Sequence, residues 1–322
     1  MRLARRWRSA GPTKLARSRS RGVALIIALM VVALAMATLM PQASRERLTV
    51  ASTANLLDTL QAHALAGGVL AWAEVVLSED ADADAVDYLG ERWATPVPAL
   101  AVERGTVGGR LHDLRGRLNL NALVDARGVN NAIQFARLER LLTHLSIPVG
   151  VAGAILDWVD ADDLESIPSG AESAHYLALT PAYRASNHLL TSVSELRLIA
   201  GIDEKTYAVL RSHVSALDWD MNINLNTASL AVLSSLGERL DTVALTSFIQ
   251  KRVESPLRGL ADVRAETAFS GVLDDLQGLS VVSDRFALEA TVRLPRAKLR
   301  FHCVISRGPN ETRAQRCWTP TL

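Results

Sequence analysis

Acidic residues are absent from the first 22 positions of this 322-residue chain, and charge of either sign is absent from the next eighteen, Val23 to Met40. The first absence leaves eight cations unopposed: Arg2, Arg5, Arg6, Arg8, Lys14, Arg17, Arg19 and Arg21. The second leaves an apolar run that, at about 1.5 Å per residue, makes a helix of roughly 27 Å, long enough to cross the hydrocarbon of a bilayer. Together they exclude a chain that never meets a membrane. The cations hold the N-terminal flank in the cytoplasm, so everything after Met40 faces outward. Three fates for the segment are open from these residues. It is a plain signal anchor, or it is removed at the small-x-small string Ala35-Met36-Ala37, or a cut after Gly22 leaves Val23 at the head of a retained helix.

Catalytic patterns are also missing. The seven histidines (His63, His112, His144, His175, His188, His213, His302) form no HxxxH or HExxH arrangement, and there is no GxSxG string or phosphate loop. Enzymatic chemistry therefore finds no support, and Arg184 with Glu195 reads as a structural ion pair. A cationic surplus is absent as well once the leader is set aside: the 27 remaining Lys and Arg face 34 acids, so the body is about seven units negative. Such a balance argues against a polyanion partner. Cysteine is scarce, with Cys303 and Cys317 the two in the chain. Arg307-Gly308-Pro309-Asn310 between them is turn chemistry, which would bring two strands and both thiols face to face. Free buried thiols are the alternative, but outside the cytoplasm a disulfide is favoured, contributing about 3 kcal/mol.

From Ser44 to Ser78 the pattern is helical, with Leu48, Ala51, Leu56, Leu60, Ala64 and Val69 forming an apolar stripe. Pro41 is placed to bend this helix, and Gly67-Gly68 is a second soft point. The acidic stretch Glu79 to Asp84 ends it and is expected on a solvated face. Pro96 and Pro98 mark a loop or edge segment, and Ala101 to Leu114 reads as short strands. A helical middle follows, opened by two related strings, Leu118-Asn119-Leu120-Asn121 and Ile223-Asn224-Leu225-Asn226. Asn suits a helix entrance because its side-chain oxygen accepts from first-turn amides. Helices are predicted over residues 130–145, 149–159, 229–236 and 242–253. After Ser280 strands return over 286–293 and 299–306, and the Cys317-Trp318 segment pairs with the latter. Strand material on both sides of the helices predicts one split α+β domain with a helical insertion.

The most distinctive string is Leu156-Asp157-Trp158-Val159-Asp160-Ala161-Asp162-Asp163, followed by Gly170-Ala171-Glu172, Tyr176, Pro181-Ala182-Tyr183-Arg184, Asn187 and Ser194-Glu195-Leu196. Asp160, Asp162 and Asp163 crowd hard oxygens at a helix end, and Glu172 can return across the loop to close a cage suited to calcium. The spacing is not that of an EF-hand, because Glu165 stands where the turn glycine belongs. A solvated acidic loop capping the helix is the alternative. These strings, the Asp113 to Asn121 segment and the leader junction resemble the K-type minor pseudopilins of the type II secretion system over most of the mature chain. Most pilin-like proteins carry Glu at mature position five. Counting from Val23 that place is Ile27, and the K-type is the member that lacks the Glu.

That resemblance implies a leader (1–22), a transmembrane and amphipathic helix (23–80), a pilin-like α+β domain split into 81–116 and 281–322, and a helical insertion (117–280) of two units, about 117–217 and 218–280. It implies processing after Gly22 by a prepilin peptidase with N-methylation of Val23. It also implies structural calcium on Asp160, Asp162, Asp163 and Glu172, with Ser173 standing where many relatives carry another acid. The expected location is the bacterial inner membrane, single-pass, with the bulk in the periplasm. Expected partners are I-type and J-type minor pseudopilins and the major pseudopilin, at the filament tip, with no nucleic acid. The rival reading is a membrane-anchored helix-hairpin-helix DNA-binding protein, suggested by Leu196 to Asp203 and Ile223 to Ala228. Asp203 and Glu238 would face phosphate there, which is repulsive.

Overall fold

The computed structural model describes residues 20–270, 273, 276–308 and 311–319. The basic leader through residue 19 and the Pro309-Asn310 part of the expected turn lie outside the described residues. Two compact units divide the chain, Met1–Asp58 and Thr59–Leu322. Helix α1, Ser20–Ala83, is continuous through Pro41 and through Gly67-Gly68. In the first unit the uncharged run from Val23 to Met40 is exposed along its whole length. Among the described residues α1 is the one helix long and apolar enough to span a membrane.

Beyond α1 follow β1 (Val97–Val102), β2 (Gly105–Asp113) and the two-residue β3 (Leu118–Asn119). Next come α2 (Ala132–His144), α3 (Val151–Val159), α4 (Ser173–Leu177) and α5 (Glu204–Leu210), then the short β4 (Val214–Ser215) and β5 (Ile223–Asn224). Helices α6 (Leu230–Ser235), α7 (Thr242–Lys251) and α8 (Leu260–Ala265) and the short β6 (Leu279–Ser280) lead to three long strands. These are β7 (Arg285–Arg293), β8 (Lys298–Arg307) and β9 (Thr312–Trp318). The sheet order is β1-β2-β7-β8-β9, antiparallel throughout, so β2 pairs with β7 across the entire helical middle. Alternation along β7 buries Phe286, Leu288, Ala290 and Val292 on the inner face. Cys303 and Cys317 are register partners on β8 and β9 and are joined by a disulfide.

Helix α1 covers that inner face, but of the stripe the periodicity suggests Val69 alone packs there. Leu56 and Leu60 stay exposed, whereas Ala62, Ala66, Ala73, Val76 and Leu77 are buried. Ala62 and Ala66 cluster with Val292 and Leu294; Ala73, Val76 and Leu77 cluster with Leu111, Phe286, Leu288 and Ile305. Ala62, Ala66 and Ala73 let the helix approach the sheet closely, and Leu65, Val69, Leu70 and Leu77 pack around them.

The acidic stretch is likewise not simply solvated. Asp80 pairs with Arg307 at 2.9 Å and Asp84 with Arg258 at 2.6 Å. Arg307 also reaches Asp87 and lies 4.9 Å over the Phe286 ring. Burial pushes Asp80 up to about 6 and the nearby Glu91 up to about 7.

Each of the two Asn-Leu-Asn strings acts as a buried clamp. Asn119 does cap a helical turn, accepting from Asn121 N at 3.3 Å. Its amide also donates to the Asp218 and Asp220 carbonyls, and it accepts from Leu217 N at 2.9 Å. Asn121 binds both the N–H and the carbonyl of Leu190, at 2.8 and 2.9 Å. Asn226 repeats this on Leu257, at 2.9 and 3.0 Å. Asn224 donates to the Asp87 carbonyl and to Ser283 Oγ. The parallel pairs β3–β4 and β5–β6 close each unit beside its clamp.

Candidate metal centre

Helix α3 is apolar on every side but one, and all nine of its residues are buried. Its one acid, Asp157, is fully buried and accepts from Ser166 N at 3.1 Å and Ala171 N at 2.7 Å. Those bonds latch both ends of the loop that follows. Gly170 is required at the latch, since a Cβ there would lie 2.1 Å from Asp157 Oδ2. Trp158, Tyr176 and Tyr183 pin the far side: Trp158 meets Tyr176 edge-on with ring centroids 5.2 Å apart, and Tyr183 stacks on Tyr176 at 5.2 Å.

The closed loop brings Asp160, Asp162 and Glu172 together, each offering an oxygen within 4.8 Å of the others. Asp160 and Glu172 are 4% and 2% exposed. Asp160 Oδ1 and both carboxylate oxygens of Glu172 are buried without a hydrogen-bond partner. Among the described residues no Lys, Arg or His makes an ion pair with any of the three. Burial, reinforced by Asp162 and Asp157, pushes Asp160 up to about 7; burial, reinforced by Asp157 and Asp160, pushes Glu172 up to about 7. Converging, desolvated, unpartnered hard oxygens with no counter-charge fit a calcium-like cation.

Asp163 stands outside this triad and accepts from Asn187 Nδ2 at 3.3 Å. Asn187 also donates to the Asp162 carbonyl at 2.8 Å, takes φ 48°, and keeps Oδ1 buried and unpartnered. Sequence reasoning missed Asn187 as a loop organiser and Asp157 as a latch. Asn187 had a signal, because Asn is among the few residues at ease in left-handed backbone. The expected Arg184–Glu195 ion pair does not form. Glu195 instead completes a capping box with Ser192 and accepts from Thr191 N at 2.8 Å. Asp203 caps α5 by accepting from Thr206 N at 2.7 Å, so a carboxylate already occupies the amides that a phosphate would need.

Residues 116–218 and 223–283 match two family models, both described as type II secretion system protein K. The chain belongs to that family. A type II secretion system protein K from Pseudomonas aeruginosa is 40% identical over 67% of this chain and 68% of its own length. One from Klebsiella pneumoniae is 29% identical over 90% of this chain and 93% of its own length. Among solved structures, one chain of the GspK-GspI-GspJ complex from enterotoxigenic Escherichia coli superposes with a TM-score of 0.74. That match is 23% identical and covers 84% of this chain and 99% of that one, a likeness of fold. The protein K member described here is thus a minor pseudopilin, and the loop carrying Asp160, Asp162 and Glu172 falls within the first matched segment.

Proposed function

We propose that this protein initiates and caps a short periplasmic filament that exports folded proteins, working at the filament tip beside I-type and J-type minor pseudopilins and ahead of the major pseudopilin. The observation that carries this reading is Ile27, apolar in an otherwise uncharged run at the place where pilin-like subunits carry Glu. In lipid a carboxylate there would pair with the free amine of a neighbouring rod, and an isoleucine cannot supply that pairing. A subunit of this kind suits the end of a stack. The helical insertion points the same way, since a bulk of this size is tolerated once more readily than at every repeat. The exposed Leu48, Leu56 and Leu60 are left for contact with sister rods.

In this reading a prepilin peptidase cuts after Gly22 and methylates the Val23 amine, and the chain stays in the inner membrane with its body in the periplasm. The sheet domain comprises 81–116 and 281–322, and the insertion spans 117–280. Asp160, Asp162 and Glu172 would hold a structural calcium ion, with Asp163 and Asn187 ordering the loop. The ion would supply the positive charge that the buried carboxylates lack, while Asp157 keeps the loop closed. N-terminal sequencing of membrane-extracted protein tests the processing step. A start at Val23 is expected; a start at Met1 or Thr38 would replace it with a plain anchor or a secretory signal. Co-purification with the I-type and J-type subunits tests the assembly step, and its absence at matched expression would overturn it.

A further inference from the structure

The inner face of the sheet is covered by α1; the outer face is partly open, meeting the helical middle where Arg316 bonds the Thr191 carbonyl. Register places Arg110 and His112 of β2, Glu289 and Arg293 of β7, Lys298, Arg300 and His302 of β8, and Arg316 and Trp318 of β9 on that outer face. Arg110 shares Glu289 with His112, at 3.2 and 3.6 Å. Arg293, Lys298, Arg300 and Arg316 are all exposed, and among the described residues none has a carboxylate partner. Arg316 donates to the Thr191 carbonyl. Arg293 and Lys298 stand directly opposite each other on adjacent strands. Like charges in that position weaken a sheet, so the arrangement is unfavourable to the fold that carries it. It also gathers cations on one face of a body whose overall charge is negative. At its border Trp318, 42% exposed, stacks on His302 with ring centroids 5.8 Å apart.

We propose that the outer face of the sheet is a docking surface for a folded protein presenting an acidic patch, seated on Arg293, Lys298, Arg300 and Arg316 beside Trp318. Arg and Trp are the residue types that dominate the energetics of protein interfaces. The cations follow β8 for about 20 Å, the breadth of an ordinary protein contact. Glu289, lowered to about 2 chiefly by its hydrogen bond to His112, is compensated by its pairing with Arg110, so the face carries both paired and unpaired charge. A uniformly anionic lipid surface has no pattern to match such a face, whereas a protein can meet mixed signs with a matching arrangement. The proposal stands independently of the filament reading.

The test uses the full chain in neutral phosphatidylcholine nanodiscs, with labelled poly-L-glutamate as the acidic probe and fluorescence anisotropy as the readout. The fourfold variant R293Q/K298Q/R300Q/R316Q is expected to weaken binding about tenfold. A charge-matched control on the helical insertion, R127Q/K205Q/R239Q/R264Q, is expected to leave it within about twofold. Relief of the like-charge opposition should also raise the melting temperature of the sheet variant by about 2 °C. Equal weakening by both variants would show general attraction and overturn the proposal. So would binding to vesicles of phosphatidylglycerol without binding to polyglutamate, which would make the partner a lipid surface. A fall in the melting temperature of the sheet variant would assign the four cations to the fold and overturn it too.

Discussion

Removing calcium should make this protein less stable, and the deficit should grow as the pH rises. The reason lies in Asp160 and Glu172, whose carboxyls burial raises from 3.8 and 4.5 to about 7. In the metal-free fold both groups hold protons that the unfolded chain releases near pH 4. Because the folded state then binds more protons, stability falls as pH climbs from about 4 to about 7. At about 1.4 kcal/mol per pH unit for each group, discounted because neighbouring acids are shared, the pair costs the metal-free fold on the order of 5 kcal/mol by neutral pH. Bound calcium would reverse the sign of this dependence, since it would hold the carboxylates ionised and compete with protons for them. At a hundredfold excess over its dissociation constant it would add about 3 kcal/mol, or roughly 5–10 °C in melting temperature.

Intrinsic tryptophan fluorescence of the detergent-solubilised chain, melted with chelator or with calcium at pH 5, 6 and 7.5, reads all of this. The calcium-induced rise should be small at pH 5 and full at pH 7.5. Asp160→Asn should abolish the response and, in chelator at pH 7.5, melt higher than the wild type, because it removes a buried charge. The comparison with that variant separates the site from Asp80, Glu91 and Asp113, which burial also raises. A calcium effect equal at pH 5 and pH 7.5, or an Asp160→Asn variant that melts lower in chelator, would refute the reasoning.

Three further outcomes follow from the geometry. Gly170→Ala places a methyl 2.1 Å from Asp157 Oδ2 and should cost about 3 kcal/mol in urea unfolding while weakening the calcium response. Asn226→Ala strips the buried Leu257 N–H and carbonyl of their partner and should cost about 3 kcal/mol. A loss below about 1 kcal/mol would mean that water or a backbone shift replaces the clamp. Cys303→Ser opens the bridge between β8 and β9 and should cost about 3 kcal/mol, with reductant producing the same loss in the wild type.

Much of the candidate site could be read from the sequence because the acids it brings together are close along the chain. Asp160, Asp162 and Glu172 sit around one helix end and one short loop, where spacing and chemistry suffice. Asp157 was not legible, since a buried carboxylate bonded to backbone amides looks the same in sequence as one more acid at a helix end. Asn119 and Asn224 read as helix entrances, which accounts for their local bonds and omits the distant segments they hold. The stripe on α1 was misassigned for a related reason: periodicity identifies several apolar faces on one long helix, and the partner chooses among them.

Local chain chemistry alone determined the long apolar segment, the helix and strand periods, the pairing of Cys303 with Cys317 and the acidic loop. Each depends on neighbours within a few turns or one hairpin. Tertiary structure alone decided which residues of α1 meet the sheet, that β2 closes on β7 across the helical middle, and that four cations share an outer face with no carboxylate partner among the described residues. Those outcomes depend on which distant surfaces can approach most closely with their polar groups satisfied, a condition set by the assembled fold.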